Sequence, residues 1–305
     1  MTVLTFYVLS ALAVAVAAPA DCGDYSNDSL YPYDAPLDVI FNFYSRKNQQ
    51  FANVLSVGLD STFLNSNYMM NKPVVILVHG FNGDADDEFN QHVRKAIFDS
   101  MDINVISVDW CDGTLECYKE SYENVPSTAD EIVVFIKWLK SLGVRHSDLH
   151  LVGFSMGAQL VGFVARKMDQ KPPYIMALDP ASQLFEDSIE TSLTANDADY
   201  VEVIHTSPLG FSRQGGHNDF YPNRGTNQTG CTEYGCNRFR SYQYLAESLR
   251  KDGSRFIGQS CASVEEAMKG SCNGSILLAM GGLRPKKKIG VLYLKTNPSS
   301  PFAIG

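Results

Sequence analysis

Residues Gly153-Phe154-Ser155-Met156-Gly157 fit the pattern Gly-x-Ser-x-Gly. In that pattern a serine occupies a sharp turn between a strand and a helix, and the glycines leave room for the turn and for close packing of helix on strand. The chemistry it permits is nucleophilic attack on a carbonyl through a covalent intermediate. The pentapeptide also arises by chance, with a buried structural serine as the alternative. Its surroundings favour the turn: "LHLVG" before the serine is short, apolar and β-prone, and "MGAQLVGFVARKM" after it has helical spacing.

A nucleophilic serine requires a base, a carboxylate that orients the base, and N–H donors for the oxyanion. Asp179, in "YIMALDPAS", stands where a later strand ends and Pro180 turns the chain; capping that turn is its competing role. The main-chain N–H of Met156, directly after the serine, and that of Phe81 in "HGFNG", after an early strand, occupy the places of oxyanion donors. Of the 6 histidines, only His205 and His217 follow Asp179 in the chain.

The elements that would hold these groups form a regular series. "PVVILVHG" reads as a buried strand, "EFNQHVRKAIFDSM" as a helix and "INVISVDW" as a strand. "STADEIVVFIKWLKSLG" reads as an amphipathic helix capped by Ser127 or Thr128, and "YIMALD" and "YVEVIHT" follow as strands. Apolar strands alternating with helices predict an α/β fold with a mostly parallel sheet covered on both faces. Ligands of such sheets bind beyond the carboxyl ends of the strands, where His79, Asp109, Ser155, Asp179 and His205 fall. Residues 21–70 show no clear period. Near the C-terminus "SILLAMGG" and "IGVLYLKT" read as strands joined by the basic turn "RPKKK".

Bulk properties set the compartment. A net charge of −9 argues against nucleic acid as a partner. Residues 1–20 form an apolar run ending in small residues, the pattern of a secretory signal, although its start lacks Lys and Arg. Residues 21–305 then read as one domain, with no later transmembrane segment. The 7 cysteines suit a secreted, extracellular chain. They fall into the short-range pairs Cys231–Cys236, Cys261–Cys272 and Cys111–Cys117, with Cys22 left over or competing for Cys111 or Cys117. No pair has histidines at zinc spacing, so neither metal nor cofactor is expected. Asn27, Asn227 and Asn273 head glycosylation sequons.

Taken in order, "VVILVHGF", "VISVDW", "HLVGFSMGAQLVG", "ALDPASQLF", "GGHNDFYPN", "CNRFRSY" and "LYLKTNPSSPF" resemble the pancreatic lipase family, which includes the insect and venom phospholipases A1. The resemblance covers about residues 30–303. It implies an α/β-hydrolase fold, lipid or phospholipid surfaces as partners, and fatty acyl esters as substrates. It further implies Ser155 as nucleophile, Asp179 as triad acid, and Phe81 and Met156 as the oxyanion hole. The β-sandwich domain that follows in vertebrate digestive lipases is not expected within this chain.

One position departs from that pattern. Where the family carries its triad histidine, two residues after the second cysteine of the lid, this chain has Arg238 in "CNRFRSY". Arginine has no acceptor lone pair and stays protonated at neutral pH, so it is no base. The expectation is a lipase-family protein with impaired catalysis, acting in lipid binding or storage, with Arg238 paired to Asp179. The alternative is an active lipase or phospholipase A1 in which His205 or His217 serves as a displaced base. The loop "TEYG" between Cys231 and Cys236 is too short to cover a groove and resembles the phospholipase A1 branch. Phe81, Phe154, Met156 and Phe211 could line an acyl groove, with core packing as the competing reading. The Arg284–Lys288 run could meet anionic headgroups, with a solvated turn as the simpler reading.

Overall fold

The computed structural model describes residues 32–115, 117–186, 188–250 and 255–305. Its strands are β1 (Ile40–Tyr44), β2 (Asn53–Leu55), β3 (Val74–Val78), β4 (Asn104–Asp109), β5 (Leu149–Phe154), β6 (Tyr174–Leu178), β7 (Val201–Ile204), β8 (Asn218–Pro222), β9 (Ile257–Ser260), β10 (Leu277–Ala279) and β11 (Gly290–Leu294). Its helices are α1 (Ala35–Asp38), α2 (Asp60–Leu64), α3 (Glu88–Ser100), α4 (Tyr118–Ser141), α5 (Met156–Lys167), α6 (Cys236–Ser248) and α7 (Val264–Lys269). The strands make a single sheet in the order β10-β9-β11-β8-β7-β6-β5-β3-β4-β1-β2. From β4 through β3, β5, β6, β7 and β8 to β11 all pairings are parallel. Both flanks, β1–β2 and β9–β10, are antiparallel.

The apolar runs are explained by burial on both faces. Val74, Ile76 and Val78 of β3 pack with Ile132, Phe135 and Leu139 of α4 and Leu160 and Val164 of α5. The alternate residues Val75 and Leu77 pack with Phe89, Val93 and Ile97 of α3 and Tyr242 and Leu245 of α6. A period of two with both sets apolar is the signature of a sheet covered by helices on each side.

Several expectations are corrected. Helix α4 begins at Tyr118, not at Ser127, and carries Pro126 inside it. The Ser127 and Thr128 hydroxyls both donate to the Asn124 carbonyl, at 3.0 and 2.8 Å. They bond back into the preceding turn instead of capping a new helix. The stretch without period supplies β1, β2 and two short helices, too brief for periodicity to register. The two C-terminal strands are not partners, because β9 lies between β10 and β11. In the basic turn, Lys286 points inward and pairs with Glu202 of β7 at 2.6 Å. Glu202 also accepts from the Tyr200 hydroxyl at 2.7 Å, so Lys286 neutralises a buried carboxylate and is not available to a headgroup.

Cysteine pairing agrees with expectation at two pairs and is corrected at the third. Cys231–Cys236 and Cys261–Cys272 are closed disulfides. Cys111–Cys117 is not formed: Cys111 is a free thiol at the head of a 3-10 turn, with Sγ directed at the Asp112 carboxylate, whereas Cys117 is disulfide-bonded. Cys22, Asn27 and the apolar N-terminal run lie outside the described residues. Asn227 and Asn273 are exposed.

Candidate active site

Ser155 joins β5 to α5 with φ 58° and ψ −120°, a left-handed conformation that a residue bearing Cβ adopts only when its surroundings impose it. The flanking glycines show what imposes it. A Cβ on Gly153 would overlap the backbone of Gly157 and Ala158, and one on Gly157 would overlap the carbonyl oxygens of Val78 and His79. Both ends of the turn thus press against backbone, with the serine at the apex. Its N–H donates to Leu178 O at 2.9 Å, and its carbonyl accepts from Ala158 and Ala181, each at 3.1 Å. The hydroxyl stands at the N-terminus of α5, the positive end of the helix dipole.

Asp179 ends the neighbouring strand β6, is fully buried and also has positive φ. Its carboxylate is held by the loop after β7. Oδ1 accepts the N–H groups of Thr206 and Ser207, each at 2.9 Å, and Oδ2 accepts the Ser207 hydroxyl at 2.5 Å.

The loop after β3 is braced from below by His79. The Trp110 N–H donates to His79 Nε2 at 3.1 Å, which assigns the proton to Nδ1, and Nδ1–H donates to Gly80 O at 2.9 Å. Trp110 Nε1 donates back to the His79 carbonyl at 3.1 Å. Gly80 lets this loop close on the serine: a Cβ there would sit 2.8 Å from Ser155 Cβ. Neither the Phe81 N–H, next in that loop, nor the Met156 N–H finds a protein acceptor among the described residues.

Arg238 lies in the first turn of α6, just after the Cys231–Cys236 disulfide that fixes the start of that helix. Its Nη2 donates to Ser155 Oγ, and its Nε lies 3.7 Å from Asp179 Oδ2. The guanidinium rests over the Phe154 ring, 5.8 Å from the centroid, with 16% of the side chain exposed. Nearby, burial pushes the Tyr118 hydroxyl up to about 12, against the opposing pull of the Arg238 charge.

The structure therefore brings Ser155, Arg238 and Asp179 together and leaves His205 and His217 outside. His205 is buried with both nitrogens engaged: Nε2 bonds Asp219 Oδ1 at 2.8 Å and Nδ1 bonds Phe211 O at 3.0 Å. His217 Nδ1 accepts the Val201 N–H at 3.0 Å, and burial followed by the nearby Lys288 charge lowers its pKa. Asp109 lies 3.7 Å from His79 beneath the loop. Phe154, Met156 and Phe211 are core residues. Phe81 is half-buried and meets the Tyr118 ring edge-on at 5.3 Å, while the Tyr118 hydroxyl reaches Gln183 O at 3.4 Å. Sequence reading missed Ser207, the closest partner of Asp179, and the His79–Trp110 brace. The signal for Ser207 was the run "HTSP", a hydroxyl in a turn beyond a strand end.

The sequence profile of the family described as Lipase matches residues 29–302. The chain belongs to the lipase family. It is 31% identical to pancreatic lipase-related protein 2 of Cavia porcellus over 244 residues, 76% of this chain and 56% of that protein. It is also 31% identical to pancreatic triacylglycerol lipase of Sus scrofa over 309 residues, 88% of this chain and 68% of that protein. The chain spans little more than half the length of several such curated relatives. Among solved structures, ferulic-acid-bound Est1E from Butyrivibrio proteoclasticus is similar over 49% of this chain and 51% of that one, with 18% identity and a TM-score of 0.34. In this lipase-family chain, the sheet, its helical layers and the strand-turn-helix at Ser155 form an α/β-hydrolase fold.

Proposed function

We propose that this protein is a secreted lipid-binding member of the lipase family whose ester hydrolysis is severely impaired. In this reading residues 1–20 are a removed signal peptide and the remainder is one domain. Ser155 and Asp179 keep the positions of nucleophile and acid, and Phe81 and Met156 keep the oxyanion donors. The observation that carries the reading is the bond from Arg238 Nη2 to Ser155 Oγ. A hydroxyl becomes a nucleophile when a neighbouring base accepts its proton, but here its neighbour is a permanent cation that donates. Both nitrogens of His205 are committed elsewhere, which supports the same reading.

The test is turnover of a short-chain p-nitrophenyl ester and of phospholipid vesicles by the purified, deglycosylated chain. Rates lower by about 10⁴-fold than those of an active pancreatic lipase are expected, the scale of losing a triad member. Rates within tenfold of that enzyme would overturn the proposal.

A further inference from the structure

With arginine at position 238, the groups that converge on the serine turn are hydrogen-bond donors. Arg238 presents Nη1, which makes no hydrogen bond to protein among the described residues; its Nη2 donates to Ser155 Oγ and, at 3.5 Å, to the Asp179 carbonyl, and its Nε is ion-paired with Asp179 Oδ2 at 3.7 Å. Because the serine oxygen accepts there, the serine proton is free to point outward. The Phe81 and Met156 N–H groups find no protein acceptor among the described residues, and the 12-residue helix α5 adds its positive end. The buried carboxylate beside them, Asp179, already has Thr206 N–H, Ser207 N–H and Ser207 O–H on its two oxygens, and its Oδ2 is ion-paired with Arg238 Nε at 3.7 Å. The guanidinium therefore pairs with Asp179 through Nε and leaves Nη1 unbonded among the described residues.

A site made of donors discriminates among lipids by the charge of the head. An ester carbonyl is neutral and can satisfy only part of such a set. A carboxylate brings two oxygens and a negative charge, and its planar fork matches a guanidinium. Apolar surface adjoins the donors: the half-buried Phe81 meets the Tyr118 ring edge-on, and Arg238 itself rests over the Phe154 ring.

We infer that the serine turn is a receptor for a long-chain carboxylate, a free fatty acid held by Arg238, Ser155 and the Phe81 and Met156 amides. This rests on the impaired-hydrolase reading and gives it a ligand. Arg238 thereby has a positive role: a residue unable to start ester cleavage is well matched to an acid that needs none.

The experiment is calorimetric titration of the full chain with decanoate, methyl decanoate and acetate, each below its aggregation limit. Ester turnover is read on the same sample, so that failure of the impaired-hydrolase reading shows as turnover and failure of this one as missing selectivity. Decanoate should bind at least tenfold more tightly than methyl decanoate, the scale of charge-assisted hydrogen bonds, and acetate should bind far more weakly for want of a chain. In Arg238→Gln, decanoate affinity should fall roughly tenfold to hundredfold, a larger factor than for methyl decanoate, so that the preference for the acid narrows. Equal binding of decanoate and its methyl ester by the unmodified protein would overturn the inference without recourse to any variant. So would decanoate affinity that survives in a folded Arg238→Gln protein.

Discussion

Arg238→His tests whether one side chain accounts for the proposed impairment of the site. In arginine the Nε atom is three bonds from Cβ; in histidine the Nε2 atom is also three bonds from Cβ. The imidazole Nε2 would therefore come to rest near the present Nε, one guanidinium short of the Nη2 atom that reaches Ser155 Oγ. The Asp179 side is ready, since its Oδ2 accepts only the Ser207 hydroxyl and retains a lone pair for an imidazole N–H. Restoring a triad member is worth about 10⁴-fold, whereas a misplacement of about 1 Å costs about 10²-fold. Hydrolysis of a p-nitrophenyl ester should accordingly rise by about 10²- to 10⁴-fold, measured as kcat/KM after circular dichroism has verified folding. Arg238→Ala, which removes the cation without supplying a base, should gain nothing. A folded histidine variant with an unchanged rate would refute the reasoning and show that the pocket differs beyond residue 238. High activity of the unmodified chain, lost in His205→Ala or His217→Ala, would refute it from the other side.

A fluorophosphonate probe should label Ser155 of the unmodified protein at least 10³-fold more slowly than it labels an active relative, read by intact mass; stoichiometric labelling within minutes would contradict this. Burial, with Asp109 adding to it, pushes the Cys111 thiol up to about 12, so at pH 8 only about 10⁻⁴ of it is thiolate. Ellman's reagent should thus react with Cys111 far more slowly in the native than in the urea-unfolded protein, and an equal rate would refute the burial argument. Non-reducing peptide mapping should recover Cys231–Cys236 and Cys261–Cys272 as closed pairs. Lys286→Met leaves Glu202 buried without its cation and should cost about 3–5 kcal/mol in urea melts, with a loss under 1 kcal/mol counting against the paired assignment.

Features governed by local pattern were legible from the chain. The five apolar residues of β3 announced a strand covered on both sides, and Gly153-Phe154-Ser155-Met156-Gly157 announced the turn at its neighbour's end. Which strand ends face one another followed from that series. Features governed by distant partners were not legible. Lys286 looked like part of a solvated basic turn, because nothing near it in sequence reveals Glu202 across the sheet. His79 read only as a residue at a strand end, since its partner Trp110 lies one strand further on. Strand β9 escaped notice because "IGQS" has neither alternation nor a continuous apolar run. Helix α4 was cut short because Pro126 followed by Ser127 and Thr128 imitates a boundary, although packing carries the helix through it.

The way Asp179 is held has an evolutionary consequence. A buried carboxylate is ordinarily a hostage to its partner, since removing the partner strands a charge at a cost that most domains cannot absorb. Here Thr206 and Ser207 hold three hydrogen bonds to it from within their own loop, so that the cation at position 238 is one of several partners. Position 238 thereby carries less of the scaffold's stability than a sole partner would. A lineage can exchange histidine for arginine, codons that can differ by a single base, and keep a folded protein in both states. In the impaired-hydrolase reading, chemistry at this turn is a trait that can be set aside and later resumed, and selection on ligand binding alone would suffice to keep the rest of the apparatus in place meanwhile.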